Sequence, residues 1–453
     1  MAGFRMRTRD MEVIPIKRFL VSKFHIWLIA PVAAMTLPYL DKAVHIDDPV
    51  YIYVARQILQ DPARPFAFQL NWFGVGAEAL QSHWHPPLLS YYYALLISFF
   101  GESEIALHTG LIVFPLLAAY STFFLARRFT SRPLAATLLI VLSPAFFVSA
   151  STLMLDIPVL ACTLAAMALF IHGLDRNRPG LLASSGIVLA AACLIKYSAI
   201  LQFGILWLYA YQRGQAGKAL APLGLAFALV SGWVYIHFLE SGVIHPLLAL
   251  ELEGGLAISK VQNLSSLFSC AGASLLLAGC FSFPGRRRLY IARGAAVALG
   301  LFFAIQSSGG LGTGSSILLF LFTVNGSYLF GLLLAGRLPK DRDTVFLTLW
   351  LLVSVLFIPA AIAFNAMRHT LIFLVPLVLL LFRTCRTSGN FEKIFPVNLA
   401  AVFFISLGIS YADYNFAENY RRYAIDVFRE TKRDAPDSQV WFRAHWGFQY
   451  YME

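Results

Sequence analysis

The sequence has few charged residues for its length. Of its 453 residues, 13% are charged and 58% are hydrophobic, whereas a soluble domain is about half apolar and about one quarter charged. The formal net charge of +11 would suggest a nucleic-acid partner if the basic residues formed a patch on a soluble face. They lie instead in short clusters between apolar runs. The composition therefore excludes an ordinary soluble domain, predicts no nucleic-acid partner and indicates an integral membrane protein surrounded by lipid.

Cysteine is also scarce, and its spacing excludes two kinds of site. The cysteines are Cys162, Cys193, Cys270, Cys280 and Cys385. They have neither the spacing of a zinc motif nor that of a disulfide framework. Each lies in or beside an apolar stretch, so we expect thiols that pack between helices. No other ligand cluster demands a metal, and we predict that no cofactor is required.

Long apolar runs recur along the chain. A spanning helix needs about 20 apolar residues, and the runs predict about thirteen such helices. They lie near residues 22–40, 105–126, 133–151, 157–174, 180–197, 198–212, 219–239, 263–283, 295–308, 315–336, 344–363, 370–383 and 395–411. The pattern predicts an all-α integral membrane protein with its termini on opposite sides. A basic segment precedes the first run, which we interpret as an uncleaved anchor.

Lys and Arg are distributed unevenly between the connecting loops. Alternate loops, beginning with the N-terminus, contain most of them, including Arg127-Arg128 and the cluster from Arg286 to Arg288. Cytoplasmic loops are rich in Lys and Arg. We therefore predict a cytoplasmic N-terminus, most simply in a bacterial inner membrane, and a functional side that faces the periplasm.

The first outer loop, about residues 41–104, is long for a connection. Its segment Pro86 to Phe100 is apolar but about fifteen residues long, too short to cross comfortably. Counting it as a span would also remove the charge asymmetry of the later loops. We predict that it lies in the membrane interface, as does Pro49 to Leu59, where Tyr51, Val54 and Ile58 share one helix face. Long ordered loops often carry function.

The chain becomes polar after the last apolar run. We divide it into a transmembrane domain, residues 1–411, and a short tail, residues 412–453, which begins as an amphipathic helix. About forty residues seldom fold alone. Two interpretations of the tail stay open: it docks on the outer loops, or it begins a truncated domain.

An acidic pair, Asp47-Asp48, follows the predicted first span by seven residues. A carboxylate beside the membrane can take a proton from an acceptor hydroxyl or amine. The alternative is that the pair caps the next helix, because Asp48-Pro49 is a favourable helix start. Asp156 opens a later span in Leu155-Asp156-Ile157-Pro158 and has the same two interpretations. The predicted topology places Asp156 on the same side as Asp47, which favours a shared function.

Isolated basic residues lie on the same predicted side. They are His85, Lys196, Arg368 and the adjacent His369. Lys196 interrupts about thirty apolar residues and has no acid nearby in the sequence. A lone cation at that depth is costly unless it extends to the lipid headgroups or meets an anion. A bound phosphate would satisfy all of these groups.

In order and spacing, these residues resemble the GT-C membrane glycosyltransferases of the protein O-mannosyltransferase and lipid A aminoarabinose transferase type. The family pattern has an acidic pair followed by Tyr after the first span, then a basic residue or His before prolines and an aromatic helix. Later come an Asp that opens a span, a Lys between two spans, and an Arg before a late span. Here these positions are Asp47, Asp48, Tyr51, His85, Asp156, Lys196, Arg368 and His369. The resemblance is clearest over residues 20–210.

The resemblance implies a GT-C-type bundle with interfacial helices in its first outer loop. It implies a polyprenyl-phosphate-linked sugar as donor and a glycan, lipid or protein as acceptor, without a metal cofactor. Asp47 would act as general base or orient the acceptor. His85, Lys196 and Arg368 would neutralise the departing lipid phosphate, and Asp48, Tyr51, Asp156 and His369 would help to bind the substrates. A direct displacement would invert the anomeric carbon.

Other classes of protein remain as alternatives. A secondary transporter would place charged or broken-helix sites at mid-membrane depth, often in repeated halves. An O-antigen polymerase or ligase would usually centre on a large outer loop in the later half. A structural subunit gives no reason for Asp47, Asp156 and Lys196 to share a side. The sequence does not distinguish which sugar is moved or which acceptor receives it.

Overall fold

The computed structural model describes most of the chain. The described residues are 24–72, 76–82, 84–255, 260–276, 286–307, 312–335, 338–362, 365–384, 391–434, 436–437, 439, 442 and 445–453. The basic segment before the first predicted span lies outside them, as do Cys280 and Cys385.

The described chain is almost entirely helical, which confirms the all-α prediction. The helices are α1 (Phe24–Thr36), α2 (Asp48–Gln60), α3 (Ala79–Ser82), α4 (Leu88–Phe100), α5 (Glu104–Leu111), α6 (Val113–Phe129), α7 (Pro133–Val141), α8 (Pro144–Ser149), α9 (Asp156–Asp175), α10 (Pro179–Ile195), α11 (Leu201–Gln212), α12 (Ala216–Ser241), α13 (His245–Gly255), α14 (Lys260–Ser274), α15 (Arg286–Ser307), α16 (Thr313–Ala335), α17 (Arg342–Ala361), α18 (Leu371–Thr384), α19 (Phe391–Asp434) and α20 (Trp446–Met452). Short 3-10 turns lie at Leu37–Tyr39, Tyr197–Ile200 and Met367–Thr370. In the first loop, β1 (Gln69–Leu70) pairs antiparallel with β2 (Ala77–Glu78).

Each predicted span coincides at least in part with a helix of the described chain, while residues 22–23, 277–283, 308, 336 and 363 of these spans lie outside the described residues. Not every span is one continuous helix. Within the described residues, seven segments are long and apolar enough to cross a membrane: Glu104–Phe129, Asp156–Asp175, Ala216–Ser241, Thr313–Leu334, Arg342–Ala361, Met367–Thr384 and Phe391–Asp434. Shorter apolar helices lie at Phe24–Tyr39, Leu88–Phe100, Pro179–Ile195 and Tyr290–Gln306. The predicted span near 133–151 is two helices, because the Ser143 hydroxyl accepts the Phe146 N–H and Pro144 begins α8.

Glycine permits close contact between some of the helices. A Cβ atom on Gly272 of α14 would lie 1.9 Å from the carbonyl oxygen of Phe322 in α16. Reciprocally, a Cβ atom on Gly326 of α16 would lie 1.9 Å from the carbonyl oxygen of Phe268 in α14. Only hydrogen fits at these positions, so the two helices meet backbone to backbone, as small residues allow in membrane proteins.

Charged side chains gather at both ends of α9, about 30 Å apart along a helix of this length. Asp175, at its C-terminal end, belongs to an arginine cluster (Arg128, Asp175, Arg213, Asp343 and Arg383). Those residues come from loops and helix ends that the sequence places on one side of the membrane. Asp156 begins α9 and meets residues that the sequence places on the other side. The alternation of helix directions therefore agrees with the predicted loop pattern, and which side is cytoplasmic stays a prediction.

Helix α19 continues far beyond the last apolar run. It extends without a break from Phe391 to Asp434 and so crosses the predicted domain boundary at residues 411–412. The following α20 packs back on the first loop: the Tyr451 hydroxyl accepts the Val44 N–H at 2.8 Å and donates to Glu104 Oε1 at 2.8 Å. Tyr450 donates to Glu102 Oε1 at 2.6 Å. The tail thus contacts the segment that contains the acidic pair.

Candidate active site

Four of the residues singled out in the sequence meet at the N-terminal end of α9. They are Asp47, Asp156, Lys196 and Arg368, which we call the site quartet. They come from four separate segments: the start of α2, the start of α9, the end of α10 and the 3-10 turn before α18. Because each segment reaches the same end of the bundle, residues as much as 321 positions apart contribute to one cluster of charges.

Asp156 lies at the centre of the quartet. It is the first residue of α9, and its side chain makes no capping hydrogen bond to its own helix because Leu155 occupies the cap position. Its two oxygens instead face two cations: Lys196 Nζ donates to Oδ1 at 3.0 Å, and Arg368 Nε lies 3.5 Å from Oδ2. The positive end of the α9 dipole also favours a carboxylate here. The interpretation of Asp156 as a simple N-cap is therefore wrong.

Lys196 is positioned by a break in the helix pattern. Helix α10 ends at Ile195, and Lys196 has extended backbone angles, φ −153° and ψ 129°, before the 3-10 turn begins at Tyr197. This break directs the ammonium group to Asp156, forty positions earlier. Lys196 has no acid near it in the sequence, but it meets an anion in the structure. Its partner is distant in sequence and close in space.

Arg368 contacts both acids of the quartet, but loosely. Its Nη2 atom lies 3.6 Å from Asp47 Oδ2, in addition to the 3.5 Å contact between Nε and Asp156 Oδ2. Tight charge-assisted hydrogen bonds of this kind measure about 2.7–2.9 Å. Arg368 therefore bridges two carboxylates without a close hydrogen bond to either.

Asp47 is the most accessible member of the quartet. Its side chain is 39% exposed, compared with 9% for Asp156 and 22% for Arg368. Burial by the surrounding protein nevertheless raises the pKa of Asp47, and Arg368 opposes this increase. A carboxylate that solvent reaches, yet that protein surrounds closely enough to desolvate, lies in a recess. Asp47 occupies the N-cap position of α2, as the capping interpretation expects, but its side chain makes no capping hydrogen bond there.

Asp48 faces away from the quartet. It is fully buried. Its Oδ2 atom accepts a hydrogen bond from the His45 backbone N–H at 3.3 Å and lies 3.1 Å from the ring nitrogen His45 Nδ1. Asp47 and Asp48 are neighbours in sequence but point into different surroundings. The structure does not bring the Asp48 carboxylate into the recess.

Tyr51 and His369 lie beside the quartet. Tyr51, in the first turns of α2, is buried, and burial together with the nearby charges of Asp47 and Asp156 raises its pKa well above the ordinary value. His369 follows Arg368, is buried, and its Nδ1 atom accepts the Ala366 N–H at 3.2 Å. Both residues therefore help to form the wall of the recess.

His85 lies before α4, where its ring centroid is 6.1 Å from that of Trp84. Its predicted role beside a lipid phosphate stays a prediction. In the described part of the chain, no group of three or more His, Cys, Asp or Glu side chains is placed to hold a metal ion.

Sequence reasoning missed three residues next to this site. Lys42 and Asp413 form an ion pair, and His45 Nε2 lies 3.4 Å from Asp413 Oδ1. Lys42 and His45 lie within six positions before the acidic pair, and this closeness in sequence could have indicated them. Asp413 had none, because it lies in the polar half of α19, more than 360 residues along the chain.

Sequence reasoning also missed α13. Its first residue, His245, has Nδ1 2.8 Å from the hydroxyl of Tyr197, the neighbour of Lys196. The contact ties α13 to the backbone break that positions Lys196. A helix of this kind is hard to predict, since it is short and lacks a strong apolar stripe.

Comparison with known proteins agrees with the resemblance inferred from the sequence. Residues 84–236 match the family described as dolichyl-phosphate-mannose-protein mannosyltransferase. The matched segment includes His85, Asp156 and Lys196, while Asp47 and Arg368 lie outside it. A search of curated proteins gave no match.

Solved structures show the same fold at low sequence identity. ArnT from Cupriavidus metallidurans bound to undecaprenyl phosphate is 16% identical, with 95% of this chain and 84% of that chain covered and a TM-score of 0.53. Its apo form is 15% identical, with the same coverage and TM-score. The Archaeoglobus fulgidus oligosaccharyltransferase tethered with an acceptor peptide is 13% identical, covers 95% of this chain and 59% of its own, and has a TM-score of 0.44, too low to add to the argument.

These findings confirm the fold class and the resemblance drawn from the site residues. The protein is an all-α integral membrane protein with the fold of ArnT, and its residues 84–236 match the family described as dolichyl-phosphate-mannose-protein mannosyltransferase.

Proposed function

We propose that this protein transfers a sugar from a polyprenyl-phosphate-linked donor to an acceptor hydroxyl or amine, on the non-cytoplasmic face of the membrane. The observation that carries the proposal is the site quartet, in which an accessible carboxylate and two cations share one recess at one end of the bundle. The family match and the shared fold with ArnT, which was solved with undecaprenyl phosphate, support the choice of a lipid phosphate as the donor group.

Asp47 is the residue that we assign to proton transfer. Its carboxylate is accessible from the recess, as a general base must be to reach the proton of an acceptor. When the acceptor oxygen or nitrogen bonds to the anomeric carbon, the bond between that carbon and the phosphate oxygen breaks. Asp47 takes the acceptor proton. Attack on the face opposite the phosphate inverts the anomeric carbon.

Lys196 and Arg368 are assigned to the leaving phosphate. As the carbon–oxygen bond breaks, its electron pair stays on the phosphate, whose negative charge rises from one to two. Fixed cations placed where charge develops stabilise the transition state strongly in a site that excludes bulk water. One negative charge moves from Asp47 to the phosphate, so the net charge of quartet plus phosphate is the same before and after the transfer.

The ion pairs of the quartet suit this role. Asp156 contacts both cations and so holds them toward the recess. The contacts of Arg368 with the two acids measure 3.5 and 3.6 Å, so a phosphate oxygen that approaches more closely would form a stronger bond than either of them. Asp156 then remains as the anchor while the phosphate contacts both cations.

A gene-deletion experiment tests the proposal. Envelope glycans and lipid-linked sugars are compared by mass spectrometry in cells that lack the gene and in cells complemented with variants. We expect one glycan to lose a sugar on deletion while the corresponding lipid-linked sugar accumulates. The parent protein and Asp61→Asn, an acid of the same loop that pairs with Arg64, should restore the glycan. Asp47→Asn should not restore it. An unchanged glycan profile on deletion, or full restoration by Asp47→Asn, would contradict the proposed function.

A further inference from the structure

A chain of charged side chains lies directly behind Asp47. It contains Lys42, His45, Asp48 and Asp413, and the first three are fully buried. Lys42 pairs with Asp413, His45 Nε2 lies 3.4 Å from Asp413 Oδ1, and His45 Nδ1 lies 3.1 Å from Asp48 Oδ2. Buried charges are tolerated when they are paired. The proposed reaction assigns no role to Lys42, His45 or Asp413.

His45 supplies the hydrogen bonds that hold Asp48. Its backbone N–H and its ring nitrogen Nδ1 both contact Oδ2 of that carboxylate. The other oxygen, Oδ1, is buried without a hydrogen-bond partner among the described residues. The orientation of Asp48 therefore depends on a single neighbouring residue.

The backbone between His45 and Asp47 has an unusual conformation. Ile46 has a φ angle of +49°, in the left-handed region that β-branched residues rarely adopt. Such a conformation costs about 1–3 kcal/mol and persists where its surroundings fix it. Here it turns the chain between His45 and the acidic pair, in which Asp47 reaches Arg368 and Asp48 contacts His45.

Separation of these two carboxylates has a chemical consequence. If Asp48 turned toward the recess, it would compete with Asp47 for Arg368, and the two like charges would favour protonation of one of them. A base that shares its cation or its proton with a neighbour is a poorer base. Asp47 therefore acts as a base most effectively when no second carboxylate faces Arg368.

We propose that His45 is a positioning residue for Asp47, because it holds Asp48 in the interior through Nδ1 and is itself held from behind by Asp413 of α19. This inference rests on the proposed function, since it assigns His45 to the support of the Asp47 base. Burial and Lys42 lower the pKa of His45, but its hydrogen bonds to the carboxylates of Asp413 and Asp48 outweigh them and leave the pKa raised, which favours the imidazolium form.

Two near-isosteric variants separate the contacts of His45. Asn can present a nitrogen at the position of Nδ1 and keep the bond to Asp48, whereas Gln can present one at the position of Nε2 and reach toward Asp413. His45→Leu keeps neither. With purified full-length protein and its lipid-linked donor, we expect kcat of His45→Leu to fall by about 10- to 100-fold, as for a misplaced catalytic group. The donor KM should stay within about twofold of the parent value because the cations are untouched.

The order of the variants is the decisive result. His45→Asn should keep most of the parent kcat, and His45→Gln should resemble His45→Leu. If Asn and Gln variants lose activity equally, or if donor KM changes as much as kcat, the positioning role is contradicted. Asp343→Asn in the distant arginine cluster is the control: it should lower the melting temperature while kcat per folded molecule stays at the parent value.

The two proposals fail in different ways. If Asp47→Asn is fully active, the proposed function fails, and the positioning role of His45 fails with it. If Asp47→Asn is inactive while folded His45→Leu has parent kcat, the proposed function stands and only the role of His45 is contradicted.

Discussion

The two ends of α9 hold ion pairs of different character. In the arginine cluster, Arg128 contacts Asp175 and Asp343 at 2.8 Å each, and every side chain of the cluster is at most 22% exposed. In the site quartet, Arg368 contacts its two acids only at 3.5 and 3.6 Å, and Asp47 is 39% exposed. Tight pairs fix helix ends together. Loose pairs with an accessible acid leave groups available for a substrate.

The comparison suggests how to tell structural from functional charges in this bundle. Both clusters contain Arg and Asp drawn from distant segments, so residue type does not distinguish them. The difference is whether each carboxylate has its hydrogen-bonding capacity filled by the protein. Asp343 contacts Arg128, Arg213 and Arg383, whereas Asp47 has one long contact to Arg368 and an open side.

The largest expected effect comes from replacing one aspartate with asparagine in each cluster, Asp47 in the site quartet and Asp343 in the arginine cluster. Asp47→Asn should reduce kcat by about 10²- to 10⁴-fold, the usual contribution of a general base, with a loss of at most about 1 kcal/mol in stability because the ion pair is weak and accessible. Asp343→Asn should cost about 1.5–3 kcal/mol, because it removes the carboxylate that Arg128, Arg213 and Arg383 share. Steady-state kinetics and thermal unfolding in detergent measure both. The comparison breaks if Asp47→Asn unfolds the protein and Asp343→Asn inactivates it without unfolding.

A second pair of variants addresses the cations. Lys196→Ala should weaken donor binding by about 10- to 100-fold, because a hydrogen bond to a charged group contributes about 1.5–3 kcal/mol. Acceptor KM should change much less. Arg213→Ala, in the arginine cluster, should leave donor affinity unchanged and lower the melting temperature. Equal donor affinity in the parent and Lys196→Ala proteins would remove Lys196 from the phosphate site.

The smallest expected effect is a shift in the pH profile. Burial raises the pKa of Asp47, so the base form should be lost, as pH falls, at a pH above the ordinary value of about 3.9. Arg368 favours the charged carboxylate; removing it should raise that pKa further. The acid limb of kcat/KM should therefore move to higher pH in Arg368→Gln. Arg56→Gln, whose partner is Glu102, should leave the limb in place. A limb that moves to lower pH in Arg368→Gln would contradict the assignment.

The helices and the four residues of the site quartet could be predicted from the sequence for clear physical reasons. Apolar runs locate buried helices, and alternation of loop sides then predicts which distant residues share an end. That reasoning brought Asp47, Asp156, Lys196 and Arg368 to one recess, where the structure places them. It could not supply the pairing of Lys196 with Asp156, because that depends on the backbone break at the end of α10.

Other features lay beyond sequence reasoning because their signal is tertiary. The polar half of α19 contains no apolar run, yet Asp413 within it completes the charges around Lys42 and His45. Asp48 looks equivalent to Asp47 in sequence. Their different partners, Arg368 for Asp47 and His45 for Asp48, appear only in the folded chain.

A structure of the protein with a polyprenyl phosphate bound would test the central claim most directly. The account predicts a phosphate oxygen within hydrogen-bond distance of Lys196 Nζ and of the Arg368 guanidinium, with Asp47 facing the space beyond the phosphate where a sugar and acceptor would meet. A phosphate bound away from both cations, or with Asp47 shut off from it by protein, would contradict the account.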